Sequence, residues 1–148
     1  MTGFSGIFVN RVLWVPALTG ILAQLFKFFL YYLRDGRADV RWLIRTGGMP
    51  SSHSATVMAL STMVGLKEGF SSAIFGVTLI MSFIIMYDAA GVRRAAGKQA
   101  EVINRMIDEL QIEHRIRDER LRELLGHTPL EVFVGAFMGV AIALLIGV

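Results

Sequence analysis

The sequence predicts an all-α integral membrane protein, a bundle of about four transmembrane helices plus a charged amphipathic helical hairpin. Three observations predict it. First, 54% of the 148 residues are hydrophobic before the 15 glycines are counted, and the mean hydropathy is +0.56; soluble domains reach only roughly 45–50% with glycine included. Second, the apolar residues fall into runs of membrane-spanning length. Third, the basic residues gather on one side of those runs. The same arithmetic excludes a disordered tail and an ordinary soluble enzyme. With no cysteine, neither a disulfide framework nor a thiolate metal site is available. A net charge of +3 is too small to point to nucleic acid, and no nucleic-acid partner is expected.

The elements follow in order. Val12 to Leu33 would span about 33 Å as a helix, enough for a hydrocarbon core of about 30 Å. The N-terminus lacks the basic stretch of a secretory signal, so this run is expected to persist as a span. Ser54 to Leu66 is shorter, of a length equally suited to a buried or re-entrant helix. Phe70 to Tyr87 and Leu130 to Val148 lie near the lower end of the spanning range. Between them, Arg34 to Gly48 reads as a basic interfacial connector with Trp42 as an anchor. From Arg93 to Gly126 the chain is highly charged, with Val102, Ile103, Met106, Ile107 and Leu110 at helical spacing. The chain is thus one membrane-embedded domain, 1–148, with an inserted helical segment at about 95–126.

Threading four helices through a bilayer puts the connectors 34–52 and 88–128 on one side. Twelve of the 15 Lys and Arg residues lie there, and basic residues mark the cytoplasmic side. An inner-membrane protein with its polar loops in the cytoplasm is expected.

Four groups of residues could do chemistry. Gln24, Lys27, Tyr31 and Arg34 share one helical face, and a lysine inside an apolar span usually faces the bundle interior and a partner. The alternative is that Lys27 and Arg34 snorkel toward headgroups. Next, Thr46-Gly47-Gly48-Met49-Pro50-Ser51-Ser52-His53-Ser54 places Pro50 in a first helical turn and Ser51 and Ser52 where their N–H groups and hydroxyls make an anion site. His53 follows one turn in, placed to exchange a proton. A plain helix cap with an incidental histidine is the competing explanation. Arg93 and Arg94 follow the third run, where arginine forks bind phosphate oxygens, although topology alone would also place them. Last, His127 and Glu131 are four apart, so the carboxylate can orient the imidazole. Thr128-x-x-Glu131 is also a capping box, with Pro129 at the first helical position. Two histidines and several cations converging on one side suit a phosphate better than a metal, which would want clustered carboxylates or close histidine pairs.

These residues resemble the type 2 phosphatidic acid phosphatase family, relatives of vanadium haloperoxidases, and specifically its small divergent branch. The family's blocks read Lys-x6-Arg-Pro, Pro-Ser-Gly-His and Ser-Arg-x5-His-x3-Asp. Lys27 and Arg34 match the first, with Asp35 in place of proline. Pro50, Ser51 and His53 match the second, with Ser52 in place of glycine. His127 and Glu131 match the end of the third, with glutamate for aspartate. The family arginine is absent at its normal spacing, and Arg93 or Arg94 would supply it if the charged hairpin splits the block. TGGMPSSHSA, YDAAGVRRAAGKQAEVIN and GHTPLEV carry the likeness across most of the chain.

The resemblance implies a metal-independent lipid phosphatase without cofactor, hydrolysing a phosphomonoester through a phosphohistidine. His127 would be the nucleophile, Glu131 would hold its tautomer, and His53 would protonate the leaving alcohol. Lys27, Arg34, Ser51, Ser52 and Arg93 or Arg94 would bind the phosphoryl oxygens. A site at headgroup depth implies a lipid phosphate, such as phosphatidylglycerophosphate or phosphatidate. Four helices are fewer than the family's usual six, which is compatible with a homodimer. Two other readings stay open. Asp88-x2-Gly91-x2-Arg94 faintly echoes a CDP-alcohol phosphotransferase, but the aspartates that chemistry needs after Gly97 are missing. A non-enzymatic protein that binds or transports a phospholipid headgroup would use the same cations.

Overall fold

A computed structural model describes residues 5–36, 47–111 and 126–147. The connector at 37–46, with Trp42, and the second arm of the charged hairpin, 112–125, lie outside the described residues. Among the described residues six helices follow one another: α1 (Ser5–Phe8), α2 (Arg11–Asp35), α3 (Ser52–Glu68), α4 (Ala73–Ala90), α5 (Val92–Gln111) and α6 (Pro129–Gly147). No strand occurs among the described residues.

The helix ends follow from local chemistry. The Asn10 side chain accepts from the Val12 N–H and starts α2, and Gly36, at φ 66°, closes it by donating to the Tyr32 carbonyl. Only glycine takes that left-handed conformation without steric cost. Ser51 caps α3 by accepting from the Ser54 N–H, and Ser72 caps α4 by accepting from Phe75 N–H. Because Ser51 is the cap, Pro50 stands one residue before it, not in the first turn as the sequence suggested. The side-chain acceptor of Ser51 decides the boundary.

Among the described residues three stretches are long and apolar enough to cross a membrane: α2, the stretch Ala73–Asp108 that α4 opens, and α6. The 17-residue α3 is not among them. It is instead the central helix, packed against α2, α4 and α6. Its buried positions are small or weakly polar, including Ser54, Ala55, Ala59, Ser61, Thr62 and Gly65. Lipid tails are as apolar as leucine, so helices in a membrane associate through close packing and interhelical hydrogen bonds. Both are present. A Cβ on Gly135 would run into the Ser51 carbonyl, and one on Gly139 into the Ala55 carbonyl, so α6 approaches the α3 backbone through its glycines. The Ser82 hydroxyl of α4 lies 2.8 Å from the Ser61 hydroxyl and 2.9 Å from the Val57 carbonyl of α3. Large side chains face outward, among them Phe83, Phe133, Phe137 and Leu145, where lipid would meet them.

After Gly91 the chain resumes as α5. The sequence expected an amphipathic helix here. Its buried row is Gly97, Ala100 and Asn104, whereas Val102, Ile103 and Met106 of the apolar stripe are exposed.

The two ends of the bundle are distinct. The end of α2, the start of α3, the end of α4 and the start of α6 meet at one. The start of α2 and the ends of α3 and α6 meet at the other, where Arg11, Met63, Leu66, Lys67 and Gly147 line a common cleft.

Candidate functional site

The site is built where α6 begins. His127 precedes the helix, and its backbone N–H donates to the Ala89 carbonyl at 2.9 Å, which ties it to the last turn of α4. The ring is buried, at 3% exposure. Its Nδ1 lies 3.0 Å from Glu131 Oε2. The same oxygen accepts the Thr128 N–H at 3.2 Å, while the Thr128 hydroxyl accepts the Glu131 N–H at 3.3 Å. Capping box and histidine support, competing explanations of Glu131 in the sequence, are therefore the same carboxylate serving both. The i, i+4 spacing and the reciprocal cap bring them together.

α3 is registered against this corner from the other side. The Ser51 N–H donates to the Glu131 carbonyl at 3.1 Å, so the backbones of the two motif segments are bonded directly. Ser51 and Ser54 are fully buried, their hydroxyls 3.0 Å apart. From the second position of α3, the exposed His53 ring stands edge-on to His127, with centroids 6.2 Å apart and planes at 63°. Histidines separated by more than 70 positions in sequence thus share one corner.

Lys27 of α2 is the third component. It is 1% exposed, and its Nζ donates to Gln24 Oε1 at 3.2 Å. Its charge is close enough to His127 to oppose protonation of that ring. Tyr31, one turn further on, backs the Gly48 loop: a Cβ on Gly48 would lie 2.6 Å from the Tyr31 hydroxyl. Gly48 has φ 82°, so both its backbone and its missing side chain matter at this position. Its backbone is in turn a hydrogen-bond partner of His127.

Burial pushes the His127 pKa below the ordinary histidine value. The Glu131 hydrogen bond and charge act in the opposite direction, as does the Gly48 backbone, while Lys27 reinforces the lowering. The net result is a neutral imidazole near pH 7 with a carboxylate ready to stabilise its cation.

Not every residue the sequence singled out joins this cluster. Arg34 has a side chain 80% exposed, 3.8 Å from its neighbour Asp35. Seven residues along α2 is a rise of about 10.5 Å, which carries it beyond the buried corner where Lys27 sits. Ser51 has its N–H committed to Glu131, and its hydroxyl to Ser54. Ser52, half-buried, is the first residue of α3. Arg93 and Arg94 occupy the first turn of α5, and their side chains lie outside the described residues. No group of three His, Cys, Asp or Glu arranged to hold a metal occurs among the described residues. Sequence reasoning missed Gly135, whose signal was present in the Gly135-x3-Gly139-x3-Ala143 spacing. It also missed the Ala89 carbonyl, which no side chain announces.

A Bacillus subtilis (strain 168) protein described as an uncharacterized membrane protein, YuiD, is 41% identical over 137 residues, covering 85% of this chain and 87% of that one. No solved structure matches. The family described as the Divergent PAP2 family matches residues 8–142, a range that holds Lys27, His53, His127 and Glu131 alike. An all-α membrane protein with two histidines, a supporting carboxylate and a buried lysine at one corner, the chain belongs to the Divergent PAP2 family.

Proposed function

We propose that this protein is a metal-independent phosphoric monoester hydrolase acting on lipid phosphates through a phosphohistidine at His127. The observation that carries the reading is the paired arrangement at one corner. A buried imidazole is held by a carboxylate at 3.0 Å, and a second, exposed imidazole stands beside it on another helix.

Each part has a chemical task. Glu131 holds the Nδ1 proton, which leaves Nε2 as the nucleophile. Nε2 attacks phosphorus, a P–N bond forms, and the P–O bond to the lipid alcohol breaks. His53 gives its proton to the departing alkoxide. Charge on the equatorial oxygens is met by the Lys27 ammonium and the Ser52 N–H at the start of α3. Arg93 or Arg94 adds a guanidinium from the start of α5. In the second half, His53 takes a proton from water, the water oxygen attacks phosphorus, and the P–N bond breaks to return neutral His127.

The substrate class rests on location. The two histidines stand at the starts of α3 and α6, where the apolar runs stop, which in a bilayer is the depth of a lipid headgroup. The basic connectors on that side support a cytoplasmic placement, and hence lipid phosphates of that leaflet, phosphatidylglycerophosphate or phosphatidate among them. A second reading, headgroup binding without hydrolysis, draws support from Arg34, which stands outside the cluster.

Phosphate release from a panel of lipid phosphates in detergent with EDTA present separates the two. The expected result is release by the wild type and a loss of at least about 10⁴-fold in folded His127→Ala. Headgroup binding with no release by the wild type would establish the second reading. Release retained by His127→Ala would remove the nucleophile assignment.

A further inference from the structure

At the end of the bundle remote from His127, a cleft of about 310 Å³ opens between three helices. Its walls come from the start of α2 with Arg11 and Val12, the end of α3 with Met63, Leu66 and Lys67, and Gly147 of α6. Small-ligand sites begin at about 300 Å³, so the cleft can take a polar group with the beginning of a chain. We propose that it binds one anionic glycerophospholipid of the leaflet opposite the His127 site. The lipid phosphate lies between Arg11 and Lys67, and an acyl chain runs along Met63 and Leu66.

Charge is the first support. Two cations from different helices face one opening, and no carboxylate side chain is among its described lining residues. Glu68, adjacent in sequence, has its carboxylate 4.0 Å from Lys67 Nζ with both side chains more than half exposed. Such a pair contributes little and exchanges readily. The N-terminus of α2 adds positive partial charge at the same place.

Depth is the second. The Trp14 indole donates to the Ile7 carbonyl at 2.9 Å, and Phe8 and Phe70 are exposed beside this end. Aromatic residues of this kind sit at the headgroup level of a bilayer. The floor is apolar and partly buried, with Met63 3% exposed. A free anion would use the cations and leave that floor empty, whereas a phospholipid uses both. The competing explanation is that Lys67 only complements the carbonyl end of α3. It predicts no lipid preference.

The test is native mass spectrometry of the full chain in detergent, titrated with phosphatidylglycerol or with phosphatidylcholine of the same chains. Phosphatidylglycerol is a phosphodiester, so the hydrolase proposed above has no monoester to remove. One tightly held phosphatidylglycerol is expected in the wild type, and phosphatidylcholine should bind more weakly. Arg11→Gln/Lys67→Gln should weaken phosphatidylglycerol binding about 25-fold, each cation being worth roughly a factor of five at a lipid surface. Arg11→Lys/Lys67→Arg should retain it, and Lys67→Gln alone, at about fivefold, serves if the double variant unfolds. His127→Ala should bind as the wild type does, so this site and the hydrolase reading fail separately. Equal retention of the two lipids, undiminished binding by the glutamine variants, or displacement of the lipid by inorganic phosphate would each overturn the proposal.

Discussion

The two ends of this bundle handle positive charge in opposite ways. At the His127 end, Lys27 and His127 are almost fully enclosed, each with a side-chain partner, and backbone hydrogen bonds join the His127 segment to the start of α3 and the end of α4. At the other end, Arg11 and Lys67 are exposed around an open cleft, and the nearest ion pair is long and solvated. Burying a charge is expensive unless it is paired. A chain that buries Lys27 beside His127 has therefore built a fixed electrostatic environment, whereas exposed cations on a membrane surface offer an adjustable one. The first suits chemistry on a bound phosphate. The second suits lipid exchange.

Substitutions can break or sharpen this contrast, and the largest effect belongs at the enclosed end. With His127→Ala as the reference for complete loss, His53→Gln should lower kcat by about 10²–10⁴-fold, the usual range for a general acid. The effect should shrink for a substrate whose leaving alcohol is already acidic and needs no proton. An equal loss on both substrates would remove His53 from that role.

Next in size is the helix contact beneath the site. Gly139→Ala drives a methyl group into the Ala55 carbonyl, and backbone cannot step aside cheaply. A cost of about 1–3 kcal/mol is expected, read as a lower unfolding midpoint in detergent. Unchanged stability would mean that α6 and α3 are not held at this distance.

The smallest effect is a displacement of the pH profile. Burial lowers the His127 pKa, so the acidic limb of kcat/KM, where the nucleophile becomes protonated, should lie below about 6.5. Glu131 favours the cation, so Glu131→Gln should move that limb to still lower pH while reducing kcat. Lys27 opposes the cation, so Lys27→Met should move it up. Shifts in the same direction for both variants would contradict the arrangement of the two charges around the ring.

Much of the candidate site was legible in sequence because its parts carry costs that leave few other reasons for being there. A lysine two turns inside an apolar helix and a histidine at each of two helix starts stand out against 54% hydrophobic composition. Arg34 was legible only as a choice between site and surface. Spacing puts it on the face of Lys27, but periodicity carries no information about where the bundle ends and water begins. Glu131 was also a choice, between cap and catalytic support. That alternative dissolves in three dimensions because one carboxylate oxygen reaches both the Thr128 N–H and His127 Nδ1.

The sequence by itself determined the membrane class, the positions of the principal helices and which ends of them carry histidine, lysine and arginine. Hydrophobic run length and charge asymmetry are one-dimensional properties, and a bilayer reads them directly. Only the tertiary structure decided that the least apolar of the four bundle helices, α3, lies at the centre. In lipid, close contact of small residues outweighs hydrophobicity as the reason for helices to associate, and Gly135 and Gly139 have a surface to fit only once α3 is in place. The same packing sets which cations are enclosed and which remain at the surface, and so distinguishes the candidate reactive end from the other.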